Sequence, residues 1–376
     1  MYKVAFIDDG IMQKIQELPE QIKKYKIING ILQEKEEDSS VFCLSHATMC
    51  FWVFAEYAMD KKYILYDIQI LNELTSSGNM QDLTKALQFC LDEEVDLINM
   101  SLGRTHYISC EGEDILEKLY NRGTIMIAAQ NNSNQVTYPA CSPYVYGVTR
   151  DYIGVLKKDQ FYYVNNKSAK IDIISHCEFS EIESKHGVIM GKQNSFSAPY
   201  ISALIYNELQ KGENREEIQS FLRKNSVSPG RMSQWEYKMK SIPNWQDEIT
   251  APVIGIHAKK SISQHLFVEL ISGFRKKEFH TVGIWFGMGE IKECPYIFTY
   301  HINEQDQEYN MNKIIKWVFN IARPDIILMG HDYNTTYFFD NVADLILTDS
   351  TQNNDNVLLL EKEMKQSIQK IIDYFE

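Results

Sequence analysis

Gly191-Lys192-Gln193-Asn194-Ser195-Phe196-Ser197-Ala198-Pro199-Tyr200-Ile201-Ser202-Ala203 is the stretch on which the reading of this chain turns. Ser195 stands in a small-residue, glycine-flanked turn, and an apolar run over 201–209 follows with spacing that suits a helix. A loop feeding a helix exposes the serine oxygen and sets it near the positive end of the helix dipole. A serine before a helix is also an ordinary N-cap, so its role depends on what lies upstream.

Upstream, residues 2–7 form a short run of β-formers that delivers Asp8-Asp9-Gly10. Ser45-His46-Ala47-Thr48 opens an apolar stretch to residue 59, with small residues that let a helix start close to its neighbours. Residues 63–71 alternate as a strand does, and 80–91 repeat apolar residues at helical spacing. Val95-Asp96-Leu97-Ile98-Asn99-Met100-Ser101-Leu102-Gly103 is a strand running into a glycine. Residues 115–120 read as a helix core, and 124–129 as a buried strand ending in Gln130-Asn131-Asn132. Residues 33–40 carry a charge cluster and are expected as an exposed loop. Strand–helix alternation of this kind predicts an α/β fold with a mostly parallel sheet covered on both faces.

Taken together, these blocks resemble the subtilase (subtilisin-like) serine peptidases over about residues 1–210. Val4-Ala5-Phe6-Ile7-Asp8-Asp9-Gly10 is similar to the family's strand with the triad aspartate, and His46-Ala47-Thr48 to its His-Gly-Thr block. Ile127-Ala128-Ala129-Gln130-Asn131 resembles the Ala-Ala-Gly-Asn block, followed by a matching Tyr138-Pro139-Ala140. Gln193-Asn194-Ser195-Phe196-Ser197-Ala198-Pro199 resembles Gly-Thr-Ser-Met-Ala-x-Pro. The resemblance implies a triad of Asp8, His46 and Ser195, with Asn131 in the oxyanion hole and Ser101, Leu102, Gly103 and Arg104 along the substrate cleft. In such a triad the histidine takes the serine's proton, the aspartate holds the imidazole, and the amide donates to the developing oxyanion.

Several positions depart from the family pattern. Asp9 stands where Ser or Thr is usual, and a carboxylate facing the imidazole would raise the pKa of His46. Ala47, Gln130 and Gln193 each replace a glycine. A glycine before the nucleophile serves close backbone approach or positive φ, so Gln193 either fits the cleft or blocks it. The alternative to a peptidase is therefore a catalytically dead, subtilase-like protein that binds a precursor and presents it to other enzymes. Arg104 follows the cleft strand where the family has glycine, and is expected to pair with an acidic substrate side chain. The Asp8 strand begins almost at Met1, which leaves no room ahead of it for a propeptide.

The 376 residues carry a net charge of −13, which argues against a nucleic-acid partner. No apolar run reads as a signal peptide or a membrane span. Seven cysteines, an odd number without a CxxC pair, are expected as free thiols of a reducing cytoplasm rather than disulfides or a metal site. No spaced calcium loop is present in the sequence, and no cofactor is expected.

Residues 211–249 are polar, with a Ser228-Pro229-Gly230 turn signal, and read as a linker to a second α/β domain at 250–376. Pro252-Val253-Ile254-Gly255-Ile256-His257-Ala258-Lys259-Lys260-Ser261-Ile262-Ser263-Gln264 resembles the strand and loop of a P-loop domain whose glycines, lysine and Ser/Thr have been replaced. This half, through Pro324-Asp325-Ile326-Ile327-Leu328-Met329-Gly330, also resembles a clostridial-type family of peptide-maturation proteins. The degenerate P-loop implies a binding or assembly module without nucleotide and a surface for homo- or hetero-oligomers, and the resemblance to peptide-maturation proteins implies a function in removing the leader of a ribosomally made, modified peptide.

Overall fold

The computed structural model describes residues 1–12, 15–35, 44–72, 75, 77–105, 110–164, 170–228, 242, 245–257, 264–287, 291, 294–300, 307–331, 339, 341–348, 357–360 and 364–375. The chain divides into two compact units. The first holds Met1–Arg104 and Ile108–Ser241, the second Thr105–Tyr107 and Ile242–Glu376.

The first unit is α/β. Its strands are β1 (Tyr2–Asp8), β2 (Gln21–Ile28), β3 (Ile31–Glu34), β4 (Tyr63–Gln69), β5 (Leu97–Met100), β6 (Ile125–Ala129), β7 (Tyr146–Arg150), β8 (Phe161–Tyr163) and β9 (Ile173–Ser175). They form one nine-stranded sheet in the order β3-β2-β4-β1-β5-β6-β7-β9-β8. Only the edge strands β3 and β8 pair antiparallel; the interior is parallel, as the strand–helix alternation predicts. The helices are α1 (His46–Tyr57), α2 (Met80–Asp92), α3 (Cys110–Arg122), α4 (Ser180–His186), α5 (Asn194–Gln210) and α6 (Arg215–Asn225).

Two features depart from the sequence reading. The β2–β3 hairpin takes Gln33 and Glu34 of the expected exposed loop into a strand; Asn29 and Gly30 turn it at φ 52° and 75°, the left-handed pair a tight hairpin requires. Residues 36–40 of the expected loop lie outside the described residues. The stretch read as a linker carries α6, whose Ile218 and Leu222 are buried in the first unit's core. Asn214 caps α6 with a full capping box to Glu217.

Helix α5 is buried on nearly every side because it runs through the core, packed against α1 and the sheet. Phe6, Phe51, Phe54, Phe196, Tyr63 and Tyr206 meet there, with Phe6 edge-on to both Phe51 and Phe54 at 5.6 and 5.4 Å. This packing fixes the starts of α1 and α5 against the end of β1.

The second unit is a six-stranded, wholly parallel sheet ordered β12-β11-β13-β10-β14-β15. Its strands are β10 (Val253–His257), β11 (Thr281–Phe286), β12 (Ile297–Tyr300), β13 (Ile326–His331), β14 (Leu345–Thr348) and β15 (Val357–Leu359). Its helices are α7 (Gln264–Lys276), α8 (Gln307–Ala322) and α9 (Met364–Phe375). The loop resembling a P-loop, 258–263, lies outside the described residues, as does the Pro229-Gly230 turn. No helix among the described residues is long and apolar enough to cross a membrane.

Candidate active site

Strand ends and helix starts of the first unit converge on one cleft. β1 ends on Asp8, α1 opens on His46, β5 runs into Ser101, β6 runs into Gln130 and Asn131, and α5 opens on Asn194 and Ser195. Carboxyl ends of parallel strands are where open α/β sheets gather their sites. The cleft has a volume of about 560 Å³, and all eight residues singled out from the sequence line it. Those are Asp8, His46, Ser101, Leu102, Gly103, Arg104, Asn131 and Ser195; Gln130 and Gln193 line it as well.

The Asp8 carboxylate is buried and accepts from His46 Nδ1 at 3.0 and 3.1 Å. This bond places the imidazole proton on Nδ1 and leaves Nε2 as the base. Burial lowers the proton affinity of His46, while Cys50 and Asp8 raise it, and the net direction is upward. The Cys50 sulfur lies 3.8 Å from both ring nitrogens. Full burial pushes the Cys50 thiol up, so it stays a neutral thiol and the lasting upward push on His46 is that of Asp8.

Asp9 does not turn its carboxylate to the imidazole. It accepts from the backbone N–H of His46 (3.0 Å) and of Ala47 (2.7 Å), the orphan amides at the start of α1. Burial and the neighbouring Asp8 hold its carboxyl above the ordinary range, while the two amides pull it back. The second carboxylate thus anchors the helix that carries His46. Ser45 completes the cap by accepting from Thr48 N at 3.2 Å.

Ser195 lies inside the first turn of α5, not in the loop before it, and is only 7% exposed. Pro199, four residues on, has no N–H to give to the Ser195 carbonyl. That orphaned, buried carbonyl accepts from Ser101 Oγ at 2.9 Å and from Cys50 Sγ at 3.4 Å. Ser101 therefore lines the cleft with its hydroxyl committed to the nucleophile's backbone. Asn99 donates to Ser101 Oγ at 3.1 Å and accepts from Ser202 Oγ at 3.0 Å, so a buried chain of hydrogen bonds ties β5 to α5. The signal for this was Pro199 at four residues beyond Ser195, together with the polar residues of an otherwise apolar strand.

Asn194 clamps the other side. Its side chain donates to Asn131 O (2.6 Å) and Tyr152 Oη (3.1 Å), and accepts from Arg150 N (2.9 Å) and Thr149 Oγ1 (3.3 Å). It is fully buried, so Asn194→Ala strands Arg150 N, while Asn131 O keeps the backbone N–H of Asn134 at 3.1 Å. A loss of about 1–3 kcal/mol in unfolding free energy is expected, the cost of one stranded buried group. Urea unfolding of the two proteins measures it, and a difference under about 0.5 kcal/mol would mean the clamp contributes little.

Gln193 is extended at φ −130°, ψ 147°, a conformation open to any residue, so no glycine is required there. Its Oε1 accepts the Ser195 hydroxyl proton at 3.3 Å. Among the described residues no hydrogen bond joins Ser195 to His46. Gln130 is buried, with Nε2 given to Lys170 O at 3.2 Å. Asn131 Nδ2 donates to Gln135 Oε1 at 3.2 Å while Oδ1 accepts from Gln135 N at 2.9 Å. An amide has two N–H groups, so one remains for the cleft. The Ser195 backbone N–H belongs to the first turn of α5 and has no partner within the helix.

Arg104 is exposed on the cleft wall, its backbone bridged to Tyr138 through bonds of 2.9 and 2.8 Å. Gly103 is held by close approach: a Cβ there would stand 2.9 Å from Thr137 Oγ1. Cys50, Cys90, Cys141, Cys177 and Cys294 are free and buried. Asp8, His46 and Cys50 bring potential ligand atoms within 4.8 Å of one another.

No family model matches the sequence, and no curated protein matches it. Among solved structures the chain is similar to a lanthipeptide protease, at 16% identity and a TM-score of 0.45, over 61% of this chain and 82% of that one. It is similar to a cold adapted subtilisin-like serine proteinase at 17% identity and a TM-score of 0.47, over 62% of this chain and 86% of that one. It is also similar to the epidermin leader peptide processing serine protease of Staphylococcus aureus, at 13% identity and a TM-score of 0.46, over 62% and 71% of the two chains.

Proposed function

We propose that the first unit is a serine endopeptidase centre, with Ser195 as nucleophile, His46 as general base and Asp8 as its orienting carboxylate. The observation that carries this reading is the Asp8–His46 pair, made at 3.0 Å in the same cleft that holds Ser195 at a helix start. In the reaction Ser195 Oγ bonds to the scissile carbonyl carbon as its proton passes to His46 Nε2. The carbonyl oxygen takes the negative charge and is met by the Ser195 N–H and the free N–H of the Asn131 amide. The C–N bond then breaks, His46 returns the proton to the leaving amine, and water releases the acyl group by the same route.

The substrate is a peptide segment of a precursor, in keeping with the resemblance of residues 324–330 to peptide-maturation proteins. Arg104, exposed at the cleft, is expected to favour an acidic side chain. Cleavage of a peptide panel by the parent and by Arg104→Ala tests this; an unchanged preference for acidic residues would remove Arg104 from recognition.

His46 serves as base only without its extra proton, and the net push on it is upward. The rate of Ser195 modification by a fluorophosphonate is therefore expected to climb with pH, through a midpoint above the ordinary imidazole value of about 6.5. A rate independent of pH from about 5 to 9 would take His46 out of the proton transfer.

A second reading is favoured by one contact: the Ser195 hydroxyl is bonded to Gln193 and not to His46. If that bond persists with substrate present, the cleft binds a peptide without cutting it. Gln193→Gly separates the two. Unchanged activity means the bond yields readily; activity appearing only in the variant means the native protein is a binding protein.

A further inference from the structure

The second sheet carries a pair of buried histidines at its carboxyl edge. β10 and β13 are parallel neighbours with Gly255 opposite Met329, and each strand ends two residues later in a histidine, His257 and His331. Alternation along a strand puts both side chains on one face at the same level. That level is the end of a parallel sheet at which ligands collect.

His257 Nδ1 and His331 Nε2 are 3.5 Å apart. This is long beside the roughly 2.7–3.2 Å of an N–H···O bond, so a hydrogen bond between the two rings is a weak one. The separation matches two nitrogens bound to one ion: bonds of about 2.0–2.1 Å near the tetrahedral angle separate them by roughly 3.3–3.5 Å. The ring centroids are 5.4 Å apart. Two imidazoles pointing at a shared ion stand at about 5.2–5.5 Å by the same geometry. Phe339 closes one side, 5.3 Å from His257 and 5.2 Å from His331, and sits so near Gly255 that a Cβ there would be 2.8 Å from the Phe339 Cβ. Both histidines are under 10% exposed.

We propose that His257 and His331 are two protein ligands of a zinc-class divalent cation in the second unit, whose remaining positions take water or an anionic ligand. Imidazole donors select late first-row metals over magnesium or calcium. The site is independent of the peptidase reading.

Equilibrium dialysis of the full chain against Zn²⁺ alone tests it, in a His46→Ala background that removes the Asp8–His46–Cys50 group as a competitor. About one equivalent is expected to be retained, weakened by about tenfold or more in His257→Gln and in His331→Gln. No retention by folded His46→Ala protein, or equal retention by both folded glutamine variants, overturns the proposal. If the glutamine variants fail to fold by circular dichroism, Co²⁺ added to the His46→Ala protein decides: intense visible absorption of a tetrahedral site supports it, and its absence overturns it.

Discussion

His46→Ala is expected to lower turnover of a cleaved peptide by roughly 10⁶-fold, a magnitude known from subtilisin. The imidazole is the base in the described cleft that hydrogen-bonds Asp8, and without it Ser195 has no such base to take its proton. The fold should survive, since His46 is partly exposed and the start of α1 is held by Ser45 and by the Asp9 carboxylate through backbone amides. Those amides remain in the alanine variant. Peptide affinity should change little, which initial-rate kinetics beside direct binding would reveal. A loss of only a few fold would mean that another base acts and that His46 is a packing residue.

Asp8→Asn is expected to cost about 10⁴-fold in turnover with the fold intact. The asparagine keeps the shape but can present an N–H to His46 Nδ1, which favours the tautomer with the proton on Nε2, the wrong nitrogen for a base. The loss should be smaller than that of His46→Ala, and the double variant should be no worse than His46→Ala alone, because the two residues act as a unit. Additive losses in the double variant would break that coupling. Cys50 beside the ring does not replace Asp8, since its buried thiol stays neutral.

The site residues were legible because each stands at a strand end or helix start marked by small residues and turn formers. Asp8 precedes Asp9-Gly10, His46 follows Ser45, and Asn131 follows a buried strand. The central parallel sheet was legible for the same reason: its buried strands are apolar runs separated by amphipathic helices. Less visible were β7, β8 and β9, which are three to five residues long, too short for a period to emerge. The β2–β3 hairpin did have a signal, Asn29-Gly30 between β-formers, masked by the lysines of an exposed strand.

Backbone accounting was the other gap. Comparison with glycine leaves open whether Gln193 fits the cleft or blocks it, and its extended backbone asks nothing special of the residue; the consequence lies in its side chain, which holds the Ser195 hydroxyl. Ser101 read as a cleft contact, but Pro199 strands the Ser195 carbonyl and Ser101 answers it. Asp9 looked like a second charge on the imidazole and is instead the anchor of α1. Each follows from asking where a buried donor or acceptor finds its partner, which residue spacing alone does not state. Residues 215–225 are polar enough to read as a linker because only Ile218 and Leu222 are buried.

The most direct test of the peptidase centre is intact-mass analysis after incubation with a fluorophosphonate probe, run on the parent, Ser195→Ala and Gln193→Gly. The expected result is a single adduct on the parent, absent from Ser195→Ala. No adduct on folded parent protein, even where Gln193→Gly gains one, would contradict the account and leave a cleft that binds peptides without cutting them.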